Sequence, residues 1–188
     1  MTKLIGTSWL AAALWGAITS SAVAAPPDRV GPQGFLLWES PRDVAETRFE
    51  AGDGTPLTLA DFEGKQILLN IWATWCGPCR EEMPTLDALQ AELGGTDFEV
   101  VALSIDRKGI EVVNEFYQEV GIEHLDPYVD PTGMASANLG AVGIPTTLLL
   151  DRQGREIGRL VGEAEWDTPE MIDFLTETIE TTKKEEAP

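Results

Sequence analysis

The chain is short of basic side chains and has very few cysteines and histidines. Its 188 residues include 13 Lys and Arg against 32 Asp and Glu, which gives a formal net charge of −19. Because nucleic-acid binding needs a basic face, this balance excludes nucleic acid as a partner. The acidic excess fits either a docking surface for basic partners or a charge that keeps the chain soluble, and we favour the second explanation.

Thiolate and imidazole ligands for a metal ion are equally scarce. The only histidine is His124, and the only cysteines are Cys76 and Cys79. A structural zinc site needs four ligands, and neither a second cysteine pair nor a nearby histidine supplies the remaining ones. We therefore expect no metal cofactor and a surface or structural place for His124. Binding of Cu(I) by two thiolates needs no further ligand, so this alternative stays open.

The first 24 residues have the character of a targeting segment. Lys3 precedes a mostly apolar stretch over residues 4–17, and small residues at 22–24 form the pattern of a secretory cleavage site. We expect residues 1–24 to be a cleaved signal peptide. Retention as a membrane anchor is the alternative, because residues 4–24 are about long enough to span a bilayer. Both outcomes place the rest outside the cytoplasm, and we predict the periplasm.

The remaining chain divides by composition. Residues 25–44 contain several Pro and Gly and no sustained period, which predicts a linker. Residues 45–182 show alternating strand and helix patterns, which predicts one α/β domain, and residues 183–188 form a charged tail. Within the domain, short strand patterns around Gly52-Asp53-Gly54 predict a β-hairpin near its start.

A buried-strand pattern over residues 66–72 leads directly into the two cysteines. Helical spacing of apolar residues follows over residues 79–93. Cysteines two residues apart, after a strand and at the start of a helix, are typical of a dithiol redox centre. The helix N-terminus favours negative charge and lowers a thiol pKa, so we predict Cys76 as nucleophile and Cys79 as resolving partner. A structural staple is the weaker interpretation, because closing so short a ring removes little chain entropy.

The order of motifs resembles the thioredoxin fold. Trp75 precedes the Cys-Gly-Pro-Cys motif, Pro84 lies inside the following helical pattern, and residues 143–146 read Gly-Ile-Pro-Thr before a strand and a hairpin. Over residues 48–179 the chain is most similar to the TlpA/ResA-like family of exported thiol-disulfide oxidoreductases, which includes the CcmG-type proteins. Residues 162–166 also resemble TlpA proteins. The resemblance implies a central mixed sheet flanked by helices, with an N-terminal β-hairpin and a central insertion.

The same resemblance implies roles for individual residues. Pro145 would be cis and lie against the disulfide, where the backbone of Ile144 can pair with an extended substrate segment. Trp75, with Gly77 and Pro78, would shape the docking surface, while Trp72 is either a shield beside the disulfide or a core residue.

ResA-like proteins carry a glutamate three residues after the second cysteine, which here is Glu82. A carboxylate at this place would accept the proton of the resolving thiol. Glu81 is the competing choice, and for both residues a charge that merely complements the helix dipole is the alternative. Asn70 stands where thioredoxin has a buried aspartate, which is a departure from that protein.

We expect a dithiol reductase that needs no cofactor beyond its redox-active disulfide. The resemblance implies apocytochrome c or copper-site proteins of cytochrome oxidase assembly as substrates, and a membrane electron donor of the DsbD or CcdA type. We also expect a monomer. A DsbA-like oxidant is an alternative, although such proteins often place a histidine between the cysteines. A Cu(I) delivery module is the other alternative.

Overall fold

A computed structural model describes residues 29–185, and the predicted leader over residues 1–24 lies outside the described residues. The strands of this part are β1 (Arg29–Val30), β2 (Leu36–Arg42), β3 (Arg48–Ala51), β4 (Pro56–Thr58), β5 (Gln66–Trp72), β6 (Phe98–Ser104), β7 (Tyr128–Val129), β8 (Thr146–Leu150) and β9 (Glu156–Val161). The helices are α1 (Gly77–Leu93), α2 (Ile110–Val120), α3 (Met134–Asn138) and α4 (Pro169–Glu185).

These strands form one mixed sheet in the order β1-β2-β9-β8-β5-β6-β7-β3-β4. The central strand β5 pairs in parallel with β6 and antiparallel with β8. The predicted hairpin is present, because β3 and β4 pair antiparallel, and β3 also pairs with β7 from the central insertion. The fold is therefore thioredoxin-like, as predicted.

Side chains of β5 alternate between two apolar cores. Leu68 and Trp72 pack into the core that contains residues of α1, α2 and α4. Ile67, Leu69 and Ile71 pack into the core that contains residues of β3 and α3. Successive side chains of a strand point to opposite faces of the sheet, so a strand covered on both sides needs a nearly continuous apolar run. This burial fixes the end of β5, from which the cysteine motif extends.

The prediction of a linker over residues 25–44 is wrong for its described part. Strand β2 pairs antiparallel with β9, and β1 pairs with β2. Between them, Phe35 is fully buried, with its ring centroid 5.4 Å from that of Phe174 and 6.4 Å from that of Trp166. Pro32 and Gly34, two of the residues that suggested a linker, lie in the short 3-10 turn Pro32–Gly34, where Gly34 takes a positive φ of 84°. The folded domain thus begins well before residue 45.

The charged tail predicted from residue 183 is helical as far as α4 extends. The hydroxyl of Thr182 donates to Gln66 Oε1 at 2.8 Å, and Lys183 Nζ lies 2.8 Å from Asp97 Oδ2. These contacts hold the last turn of α4 against the start of β5, which places it at the opposite end of β5 from the cysteines. Between residues 29 and 185, no helix is both long and apolar enough to cross a membrane.

Candidate active site

Cys76 and Cys79 are joined as a disulfide at the start of α1, with 5.3 Å between their Cα atoms. Cys76 is the N-cap of this helix, and the backbone N–H of Cys79 donates to Cys76 Sγ at 3.3 Å. Cys76 retains 8% of its surface exposed, whereas Cys79 is fully buried. The two sulfurs are therefore unequal, and the one nearer to solvent also receives the helix N–H.

The loop before β8 approaches the disulfide. The Ile144–Pro145 peptide bond is cis, as the family resemblance implies. The carbonyl oxygen of Ile144 lies 3.8 Å from Cys76 Sγ. The hydroxyl of Thr146 donates to the carbonyl of Gly143 at 2.6 Å and closes the turn. Backbone of this loop is thereby placed beside the sulfur that a substrate would approach.

The two tryptophans near the motif occupy different environments. Trp75 is 67% exposed beside Cys76, and Gly77 and Pro78 are exposed as well. Trp72 is fully buried and stacks on Tyr117, with 5.9 Å between ring centroids. Trp72 is thus a core residue, and Trp75 is the aromatic side chain that a partner would meet.

Glu82 is buried one turn further along α1, with only 2% of its surface exposed. Its carboxylate accepts three hydrogen bonds, from the Asn70 side-chain amide at 2.7 Å, the Ala164 N–H at 3.2 Å and the Trp166 indole N–H at 3.1 Å. Burial raises the pKa of Glu82 to about 7, although these hydrogen bonds oppose the rise. Glu81 is exposed. Of the two candidate glutamates, the buried one has the environment that a proton acceptor needs.

Asn70 connects Glu82 to the sheet. Its side-chain amide also donates to Thr147 Oγ1 at 2.9 Å, and its carbonyl oxygen Oδ1 is buried without a partner in the described part of the chain. The polar residue that interrupts β5 therefore contacts the group with the raised pKa.

Sequence reasoning missed the second half of this carboxylate site. Ala164 and Trp166 lie 82 and 84 residues from Glu82 in sequence, in the segment that follows β9. Only the resemblance of residues 162–166 to TlpA proteins singled out this segment, and it assigned no contact. Such pairs depend on tertiary packing, which no local pattern reports.

His124 does not join the site. It is exposed, and its backbone N–H donates to Asp87 Oδ1 at 2.7 Å. Over residues 29–185, no group of three or more His, Cys, Asp or Glu side chains is placed to hold a metal ion.

Comparisons with known proteins agree on the family. Residues 41–175 match the protein family described as Redoxin. The thiol-disulfide oxidoreductase ResA of Bacillus thuringiensis subsp. konkukian is 33% identical over 160 residues, which cover 79% of this chain and 89% of that protein.

Solved structures give the same result. A protein described as thiol:disulfide interchange protein DsbE from Chlorobium tepidum has a TM-score of 0.61 and 29% identity, covering 76% of this chain and 97% of that one. The exposed lipoprotein thioredoxin of Streptococcus pneumoniae has a TM-score of 0.58 and 26% identity, covering 73% and 99%. The chain therefore belongs to the Redoxin family and is a thiol-disulfide oxidoreductase similar to ResA and DsbE.

Proposed function

We propose that this oxidoreductase works as a reductant of protein disulfides in the periplasm. This proposal rests on the contacts of Cys76 Sγ, which in the disulfide form accepts one hydrogen bond from protein within residues 29–185, that of the Cys79 N–H. The intervening Gly77 and Pro78 add no side-chain donor. A strong oxidant is one whose reduced form is specially stabilised. Because no side chain between the cysteines adds to the stabilisation that the helix N-terminus gives the Cys76 thiolate, the motif supports a low reduction potential.

The reaction follows from the inequality of the two sulfurs. The thiolate of reduced Cys76 attacks one sulfur of a substrate disulfide, which breaks the substrate S–S bond and releases its other sulfur as a thiolate. Cys79 then attacks the Cys76 sulfur of the mixed disulfide, which frees the second substrate thiolate and leaves Cys76 and Cys79 oxidised. Two electrons pass from protein to substrate.

Glu82 serves the second step in this proposal. Cys79 is fully buried, and because only a thiolate attacks, the Cys79 thiol must lose its proton before this step. Glu82 lies three residues further on the same face of α1, and its raised pKa of about 7 suits a group that takes up a proton near neutral pH. The proton lost by Cys79 thus passes to the Glu82 carboxylate and then to water.

The substrates and the electron source are also part of the proposal. Oxidising compartments join closely spaced cysteines, and a haem-attachment motif of the form Cys-x-x-Cys-His is such a pair. Apocytochrome c, or a copper-site protein with paired cysteines, therefore needs a reductant after export. The signal-like pattern at residues 1–24 supports export of this chain. A membrane donor of the DsbD or CcdA type would return the electrons, and the chain would act as a monomer.

Direct electron exchange with a peptide tests the direction in which electrons flow between this protein and its substrate. Mature protein reduced at Cys76 and Cys79 is mixed with an equal amount of an oxidised peptide carrying Cys-x-x-Cys-His, and free thiols on both are counted by alkylation and mass spectrometry. We expect the peptide to gain two thiols for each pair that the protein loses, and a Cys76→Ser variant to transfer none. Net oxidation of reduced peptide by the disulfide form would instead support the DsbA-like alternative.

A further inference from the structure

A surface groove of about 530 Å³ opens directly beside the redox motif. Its walls come from three places in the fold: the segment before Cys76, the turn between β6 and α2, and the turn before α3. Trp75 belongs both to this groove and to the exposed surface around Cys76. The residues that matter for recognition are Thr74, Trp75, Ile105, Arg107, Lys108 and Val112.

Two adjacent cations stand at this groove. Arg107 and Lys108 are exposed, and neither forms an ion pair within residues 29–185. Arg80, at the start of α1, shows the contrast, because its guanidinium lies 3.1 Å from Glu119 and also donates to the Thr74 carbonyl. In a chain of formal charge −19, two adjacent positive charges without an ion pair at the groove that Trp75 lines point to an anionic partner.

The two nearest carboxylates in the chain, Asp106 and Glu111, form no ion pair with Arg107 or Lys108 within residues 29–185. Asp106 is buried at the groove and accepts hydrogen bonds from the Thr74 N–H at 2.7 Å, the Thr74 hydroxyl at 2.9 Å and the Ser104 hydroxyl at 2.8 Å. Its carboxylate oxygens thus hold the segment before Cys76, and no ion pair joins Asp106 to Arg107 or Lys108 within residues 29–185. Glu111, in the first turn of α2, is exposed and complements the helix N-terminus.

We propose that this groove, the cationic groove, binds a substrate segment that carries Asp or Glu, together with an apolar side chain, within a few residues of the attacked cysteine. The inference rests on the proposed function, because it assumes that Cys76 attacks protein disulfides. An extended chain advances about 3.3 Å per residue, so two or three residues extend about 7–10 Å. Trp75, which directly precedes Cys76, lines the groove. The apolar side chain packs on Trp75, Ile105 and Val112, and the carboxylate meets Arg107 and Lys108.

Charge elsewhere on the protein does not cancel this preference. Exposed charges farther away than about 10 Å are largely screened at 0.1 M ionic strength, so the distant acidic residues contribute little at the groove. The ratio of rates for an acidic and a basic substrate is measured on each protein, and these ratios are then compared between variants. The distant acidic residues are the same in every variant, so their contribution cancels in this comparison.

The test uses two peptides that each carry one cysteine in a disulfide with a coloured aromatic thiol. They differ only in having Asp and Glu, or two Lys, at the second and third residues from the cysteine. Reduced mature protein attacks each peptide, and release of the coloured thiol gives the second-order rate constant by stopped flow. Replacing both cations, Arg107→Gln with Lys108→Gln, should lower the ratio of acidic to basic peptide rates about tenfold at low salt and less than about twofold at 0.5 M salt.

A control variant makes the same change in charge far from the motif. Lys183→Gln with Lys184→Gln alters the end of α4, which lies at the opposite end of β5, and it should leave the ratio unchanged. Equal ratios in the wild type and the groove variant, or equal losses in both double variants, would overturn the proposal. These rates report attack by Cys76 in either direction of net electron flow, so an oxidising reduction potential would refute the proposed reductase while leaving the groove test decisive.

Discussion

Replacing Glu82 by Gln should make the stability of the domain less dependent on pH. Burial gives the carboxyl a pKa of about 7 in the folded chain, against an ordinary value of 4.5. A carboxyl with a higher pKa in the folded state holds its proton more tightly there. Below about pH 4.5 the carboxyl is protonated in the folded and the unfolded chain, and it costs no unfolding free energy. As the pH rises from about 4.5 to about 7, the unfolding free energy falls, because ionisation is easier in the unfolded chain.

The size of this effect follows from the two pKa values. Their separation corresponds to about 3 kcal/mol of unfolding free energy once the pH is well above the folded pKa. Between pH 5.5 and pH 8 the part that develops is about 2 kcal/mol. The glutamine side chain of the Glu82→Gln variant cannot ionise, so the variant lacks this loss. Its altered hydrogen bonds to Asn70 and Trp166 add an offset that does not change with pH.

Urea unfolding of the oxidised protein, followed by circular dichroism at several pH values, measures the difference. The unfolding free energy of the wild type minus that of Glu82→Gln should fall by about 2 kcal/mol from pH 5.5 to pH 8. Glu81→Gln is the matched control, because Glu81 is the exposed neighbour, and its difference from the wild type should stay flat. A flat difference for Glu82→Gln would refute the raised pKa and, with it, the proton-acceptor role.

Three further changes test other parts of the account. Cys79→Ser should accumulate a mixed disulfide between Cys76 and substrate, visible on non-reducing gels, and its absence would contradict the assigned order of attack. Trp166→Phe removes the indole N–H that lowers the pKa of Glu82, so the pH midpoint of the stability difference should move upward, and an unmoved midpoint would contradict this contact. Phe35→Ala should cost about 3–5 kcal/mol in urea unfolding, because it empties a buried site, and a cost below about 1 kcal/mol would contradict our placement of this segment in the core.

Local patterns predicted the central elements well for a physical reason. A strand buried on both faces must be nearly continuously apolar, so the run over residues 66–72 predicted β5. Apolar residues at helical spacing over residues 79–93 predicted α1. Each pattern reflects burial that every residue of the element shares. The cysteine spacing likewise predicted the motif at the start of α1.

Features that depend on distant partners could not be predicted in this way. The segment before residue 45 has too few apolar residues to show a period, and its place in the sheet depends on pairing with β9, more than 100 residues later. The environment of Glu82 depends on Trp166 and Asn70 from two other elements. Only the family resemblance, and no residue pattern, indicated the cis bond before Pro145.

The equilibrium reduction potential of the Cys76–Cys79 pair tests the central claim most directly. Mature protein is titrated in glutathione or dithiothreitol buffers, and tryptophan fluorescence reports the oxidised fraction, with Trp75 directly before Cys76. We expect a value near or below that of thioredoxin, about −270 mV, as a reductant requires. A value near that of DsbA, about −120 mV, would contradict it and make the protein an oxidant.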